Sequence, residues 1–122
     1  MDQRILQALG QGQVIDITTT GRKTGQPRRI EIVFHPIDSR VYISGFPRPR
    51  KRSWLANLEA RPDFMFHLKG AVRADLSARA QPITDPAERR RVLTEVQKTW
   101  PQVNLDDAVA MSPLVEVTFA DA

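Results

Sequence analysis

The order of apolar and polar side chains divides the chain into short segments, most of them with a period of two. Residues 14–20 alternate, with Ile15 and Ile17 on one face and Val14, Asp16 and Thr18 on the other. The three threonines there carry the branched Cβ that favours extended backbone. Ile30, Ile32 and Phe34 alternate with Glu31, Val33 and His35, and Val41 and Ile43 alternate with Tyr42 and Ser44. These are three predicted strands. The tight turn Gly21–Gly25 joins the first pair, and a turn over residues 36–40 joins the second. Phe64, Phe66 and Leu68 alternate with Met65, His67 and Lys69, and residues 72–80 continue in steps of two after a turn at Lys69-Gly70. A sixth strand follows Pro113, with Val115, Val117 and Phe119 on one face.

Three helical segments interrupt this pattern. Residues 2–9 carry Ile5, Leu6 and Leu9 on an apolar side and stop at Gly10. Ser53 is the expected N-cap of a helix through Trp54, Leu55, Leu58 and Ala60, which Pro62 ends. Asp85 is the expected cap of a third helix, with Pro86 at its first position and Glu88 completing a capping box. Leu93, Val96 and Trp100 form its apolar stripe, and Pro101 is its expected end. The chain therefore reads as one mainly β domain over residues 1–122 with peripheral helices. Six antiparallel strands with short connections suggest a small closed barrel, which leaves no sheet edge exposed. Such a barrel is filled by its own side chains, so a ligand belongs outside it, in a groove or at a subunit interface. A homodimer is expected, because the outer sheet face and the Trp100 stripe need cover.

Composition adds exclusions. Hydrophobic residues make up 41% of the 122 and charged residues 26%, which is globular rather than disordered. The absence of cysteine removes disulfides, thiol catalysis and cysteine zinc sites. No apolar run is long enough to cross a bilayer or to serve as a signal-peptide core, so a cytoplasmic protein is expected. The net charge of +4 is unevenly spread: residues 21–52 hold nine basic and two acidic side chains. A local cationic surface implies an anionic partner such as a phosphate, a polycarboxylate or a nucleic acid.

The candidate chemistry lies in the two basic loops, Gly21–Gly25 and Gly45–Arg52. Arg22, Lys23, Arg48, Arg50, Lys51 and Arg52 supply charge, and the second loop runs into a helix N-terminus. They read as an anion clamp. Trp54 stands beside the second loop and is placed to pack on a planar ligand, while Asn57 is expected to hold that loop in shape. His35 and His67 read as ordinary strand histidines without a nearby carboxylate pair, so neither a catalytic residue nor a metal ligand is assigned. Ser44, Ser53, Ser77 and Ser112 lie in no nucleophile elbow. An enzyme of this composition would need a cofactor to carry its reaction. Nucleic-acid binding through residues 48–52 rests on charge alone and ranks below the other readings.

Two stretches are distinctive together: Thr18-Thr19-Thr20-Gly21-Arg22-Lys23-Thr24-Gly25-Gln26-Pro27-Arg28-Arg29, and the proline-bearing basic loop followed by Trp54, Asn57 and Leu58. They resemble the deazaflavin-dependent nitroreductase family, a branch of the flavin-binding (FMN-binding) split-barrel superfamily, over about residues 14–70. The resemblance implies a six-stranded split β-barrel. It implies the deazaflavin coenzyme F-420, or more rarely FMN, in a groove beside the barrel. The corresponding cofactor-binding positions would be Arg22, Lys23, Thr24, Pro49, Arg50, Lys51 and Trp54, and the reaction would be hydride transfer to a quinone, nitroaromatic or other conjugated acceptor. Members that bind deazaflavin often carry a Lys-Gly-Gly-type run where this chain has Gly45-Phe46-Pro47, and the C-terminal tyrosines of some members have no counterpart beside Tyr42. These departures keep open a second reading, a non-catalytic carrier of a fatty acid or other small ligand on the same barrel.

Overall fold

A computed structural model of the chain describes residues 1–120. In order the elements are α1 (Gln3–Leu9), β1 (Val14–Thr20), β2 (Pro27–Ile37), β3 (Arg40–Ser44), α2 (Ser53–Ala60), β4 (Asp63–Lys69), β5 (Arg73–Pro82), α3 (Pro86–Gln97), α4 (Leu105–Met111) and β6 (Leu114–Phe119). The six strands form a closed barrel in the order β1-β2-β3-β6-β5-β4, and every pairing is antiparallel. The alternation read from the sequence sets the faces. Ile15, Ile17, Phe34, Val41, Ile43, Phe66, Leu68, Leu76, Val115 and Val117 fill the interior. Phe66 sits edge-on to Phe34 at 5.3 Å and to Phe119 at 5.1 Å. These side chains pack together inside the barrel, as expected for a barrel of this size.

Helices cover what the strands leave open. Ala8 and Leu9 of α1 and Trp54 and Leu58 of α2 join the barrel core. A second apolar cluster lies outside the barrel, where Tyr42 and Leu114 meet Val92, Leu93 and Val96 of α3 and Ala108 of α4. Arg89 fastens this layer: its guanidinium donates to the carbonyls of Ile83, Ala108, Val109 and Ser112. The Val109 carbonyl lies in the last turn of α4, where helices lack partners for their carbonyls, and the Ala108 carbonyl also accepts from the Ser112 N–H.

Several local expectations are corrected. The turn between β2 and β3 is only Asp38-Ser39, both at positive φ (52° and 63°), so Pro36 and Ile37 belong to β2. Arg52 rather than Ser53 is the N-cap of α2, and no side chain bonds into that end. Asp85 does cap α3, accepting from the Glu88 N–H. That helix stops at Gln97, before Trp100. α4 has no counterpart in the sequence reading; Asn104 caps it by accepting from the Asp107 N–H. It covers the Leu93 and Val96 side of α3, so this stripe finds its cover within the chain.

Candidate functional site

The first basic loop is a compact turn. The Gly21 N–H donates to the Gln26 carbonyl and the Gly25 N–H to the Gly21 carbonyl, each at 2.8 Å. Gly25 has φ of 72°, a conformation that residues with a Cβ seldom adopt. The turn is tied to α2 by Asn57, which is buried. Its Oδ1 accepts from the Arg22 backbone N–H (3.1 Å) and from Arg22 Nη1 (3.0 Å), and its Nδ2 donates to Thr19 Oγ1 (3.2 Å). Asn57 thus holds the first loop, not the second as the sequence suggested. Its short reach across the end of β1 holds the first basic loop against α2.

Between this loop and α2 lies a cavity of about 330 Å³. Arg22, Lys23, Thr24, Arg28, Ser53 and Trp54 line it. Four of the seven expected cofactor residues, Arg22, Lys23, Thr24 and Trp54, are therefore brought together. Pro49 and Lys51 line a separate cavity of about 340 Å³, with Arg48, Arg89 and Ser112. Arg50 is exposed and lines none of these cavities. The second loop is partly self-engaged. Lys51 pairs with Glu59 at 2.7 Å, and Arg52 turns back to donate to the Phe46 carbonyl. Gly45 makes that return feasible, since a Cβ there would stand 3.0 Å from Arg52 Nη2. Burial, and then the neighbouring Arg48 charge, hold the Arg52 guanidinium below its usual pKa. Arg28 and Ile30 are not among the expected cofactor residues; Arg28 lies within the distinctive stretch but beyond the turn, four residues after Thr24.

Ile30 and Trp54 also line a neighbouring cavity of about 380 Å³, with Phe46, Arg48, Arg52 and Trp100 among its other walls. The two cavities thus share walls and form one groove along the outside of β2. One end carries Arg22, Lys23 and Arg28, and the other carries Phe46 and Trp100 together with Arg48 and Arg52. Phe46 and His35 both stand edge-on to Trp100, with centroids 4.9 and 4.8 Å away. Phe46 is 41% exposed, while His35 is buried and its Nε2 has no hydrogen-bond partner. Burial lowers the His35 pKa to about 4, so it stands neutral behind Trp100 at neutral pH. The other histidine differs from its expected setting: His67 Nδ1 lies 2.6 Å from Asp75 Oδ1, so it does have a carboxylate partner.

Solved structures share this barrel. A conserved hypothetical protein from Mycobacterium tuberculosis matches with a TM-score of 0.76 and 17% identity, over 98% of this chain and 81% of that one. A structure described as an F420-H2 dependent reductase matches with a TM-score of 0.65 and 18% identity, over 86% and 93%. A putative 5-nitroimidazole antibiotic resistance protein from Bacteroides thetaiotaomicron matches with a TM-score of 0.65 and 15% identity, over 98% and 80%. At these identities the likeness shows the fold alone, a closed six-stranded antiparallel barrel with peripheral helices. The family model described as F420H(2)-dependent quinone reductase matches residues 2–114, and the chain belongs to that family of oxidoreductases. Among the described residues no helix is long and apolar enough to cross a membrane.

Proposed function

We propose that the groove along β2 binds the deazaflavin coenzyme F-420 and that the protein uses it to reduce a quinone, nitroaromatic or other conjugated acceptor. One observation carries this reading: Ile30 and Trp54 are walls of both cavities, that of Arg22, Lys23 and Arg28 and that of Phe46 and Trp100. A groove with a cationic end and, at the other, aromatic side chains beside Arg48 and Arg52 fits a molecule made of a flat ring and a phosphate-bearing tail. Arg22, Lys23, Thr24 and Arg28 would hold the anionic tail, with Asn57 fixing the Arg22 guanidinium in place. Trp54 would pack against the ligand between the two ends, and Phe46 and Trp100 would wall the acceptor's side of the groove. Pro49, Arg50 and Lys51 stay in the proposal only as a flank for the far end of a long tail.

Bound there, the reduced coenzyme supplies a hydride to the acceptor. The chain's part would be to fix the tail with Arg22, Lys23, Thr24 and Arg28 and to wall the rest of the groove with Phe46 and Trp100. His35 is neutral and has no path of polar contacts to the groove, so it assists only by supporting Trp100. FMN has the same combination of ring and phosphate, and a parallel titration compares the two.

The test is reduction of menadione by the reduced coenzyme, followed by the return of deazaflavin absorbance. Turnover that falls about tenfold or more in Lys23→Gln supports the reading, because a charge-assisted bond to a phosphate is worth roughly 1.5–3 kcal/mol. Protein that binds neither cofactor but carries an acyl chain when purified would favour the carrier reading instead. The homodimer keeps only part of its argument, since α4 covers much of the α3 stripe. Light scattering at twice 13.8 kDa would support it, and a single copy's mass would remove it.

A further inference from the structure

On the outer face of the barrel, three side chains on three strands form a continuous hydrogen-bonded line. Thr18 Oγ1 of β1 lies 2.7 Å from His67 Nε2 of β4, and His67 Nδ1 lies 2.6 Å from Asp75 Oδ1 of β5. Strand register builds the line. His67 is paired with Asp75 across one ladder, and Thr18 is paired with Met65, two residues from His67 on the same face. The imidazole is only 8% exposed, whereas the Asp75 carboxylate is 73% exposed. The order is hydroxyl, imidazole, carboxylate, with both spacings in hydrogen-bond range. A carboxylate on Nδ1 keeps the proton there and leaves Nε2 to accept from the hydroxyl.

A ladder of this kind could simply knit three strands together. A second observation argues for more. Thr18, Met65 and Ser77 form the adjoining cross-strand row, and all three line a cavity of about 610 Å³, with Phe64 and Phe119 among its apolar walls. His67 and Asp75 are not among the lining residues. Thr18 therefore borders both the imidazole and this cavity. The other carboxylate beside His67, Asp16, is taken by Lys69 (2.8 Å) and Arg29 (3.0 Å), so Asp75 alone orients the ring.

The geometry points to Thr18 as a nucleophile activated by His67 and Asp75, acting on small aryl or alkyl esters in this cavity. Thr18 Oγ1 forms a bond to the acyl carbon as its proton passes to His67 Nε2. The ester C–O bond breaks, and the departing alcohol or phenol takes that proton. Water, giving a proton to the same imidazole, then cleaves the Thr18 ester. It releases the carboxylic acid, and Thr18 recovers its proton from His67. The balance is ester plus water to acid plus alcohol. Thr18 and His67 touch the reacting atoms; Asp75 is a positioning residue. This inference rests on no part of the coenzyme reading.

The experiment uses p-nitrophenyl acetate with the full chain and no coenzyme, reading p-nitrophenolate release and the acetylated residue by peptide mass mapping. The expected result is acetyl on Thr18 and release that falls about a hundredfold in Thr18→Val and in His67→Gln, the scale of a positioned general base. Asp75→Asn, at an exposed position, should slow acetylation of Thr18 and also remove the downfield Nδ1 proton resonance of His67. Circular dichroism of each variant checks that it is folded. Acetyl found only on lysines or the N-terminus, with equal release by folded Thr18→Val, would overturn the assignment.

Discussion

At the scale of single residues, Asn57 links the barrel to its groove. Three of its bonds cross the gap between the end of β1 and α2, and all are made with one buried side chain. Asn57→Ala would leave the Arg22 N–H without its partner at a half-closed site. It should cost about 2 kcal/mol in urea unfolding. It should also weaken coenzyme binding by more than its stability loss accounts for, because Arg22 would no longer be held. A variant with lower stability and unchanged affinity would place the anionic tail elsewhere. The sequence showed Asn57 as a structural residue on the helix but not its partner. Arg22 is 35 residues away, and only the closure of the barrel brings the two together.

At the scale of elements, the alternation of apolar and polar positions was enough to place all six strands, because each has one face in the barrel and one outside. The ends of elements were less legible. α4 is seven residues long and lies between Pro101 and Pro113, which reads as loop, although Asn104 followed by two aspartates in the first turn is an N-terminal signature. The β4–β5 turn spans residues 70–72, and the pair Lys69↔Arg73 sets His67 opposite Asp75. A turn placed one residue off would have put that histidine beside another side chain, so its carboxylate partner was hidden in the register. The two-residue turn Asp38-Ser39 is another such detail. Both residues adopt positive φ, and a serine there costs about 1 kcal/mol relative to glycine. Ser39→Gly should therefore raise the melting temperature by about 4 °C; calorimetry showing no rise would mean the loop relaxes in solution.

At the scale of the whole molecule, charge and burial set the response to pH. His35 has a folded pKa lowered to about 4 by burial, against 6.5 when unfolded. The unfolded chain thus binds more protons between these values, and stability falls as pH drops from about 6.5 to about 4. The loss should total on the order of 3 kcal/mol and be much reduced in His35→Phe, as read by urea midpoints at several pH values. Asp16 has the opposite sense of titration: its hydrogen bond to Lys69, and then that to Arg29, hold its carboxyl below the usual range. Its contribution is present above the ordinary carboxyl pKa and is lost below it, a more acidic window that His35→Phe leaves unchanged. The basic surface is also a whole-molecule property. Residues 21–52 carry the excess charge, but Lys51 is paired with Glu59, and Arg52 is folded onto Phe46. What remains near Trp54 is Arg22, Lys23 and Arg28 on one side and Arg48 on the other, a set suited to one compact anion rather than to the length of a nucleic acid.

The most direct test is a titration of the Trp100→Phe variant with oxidised coenzyme F-420, following fluorescence. Trp54 is then the sole tryptophan, and it forms a wall of the cationic cavity. Saturable quenching that disappears when Arg22 and Lys23 are both changed to glutamine is the predicted result. Unaltered Trp54 emission up to millimolar coenzyme, with the variant still folded, would contradict the account.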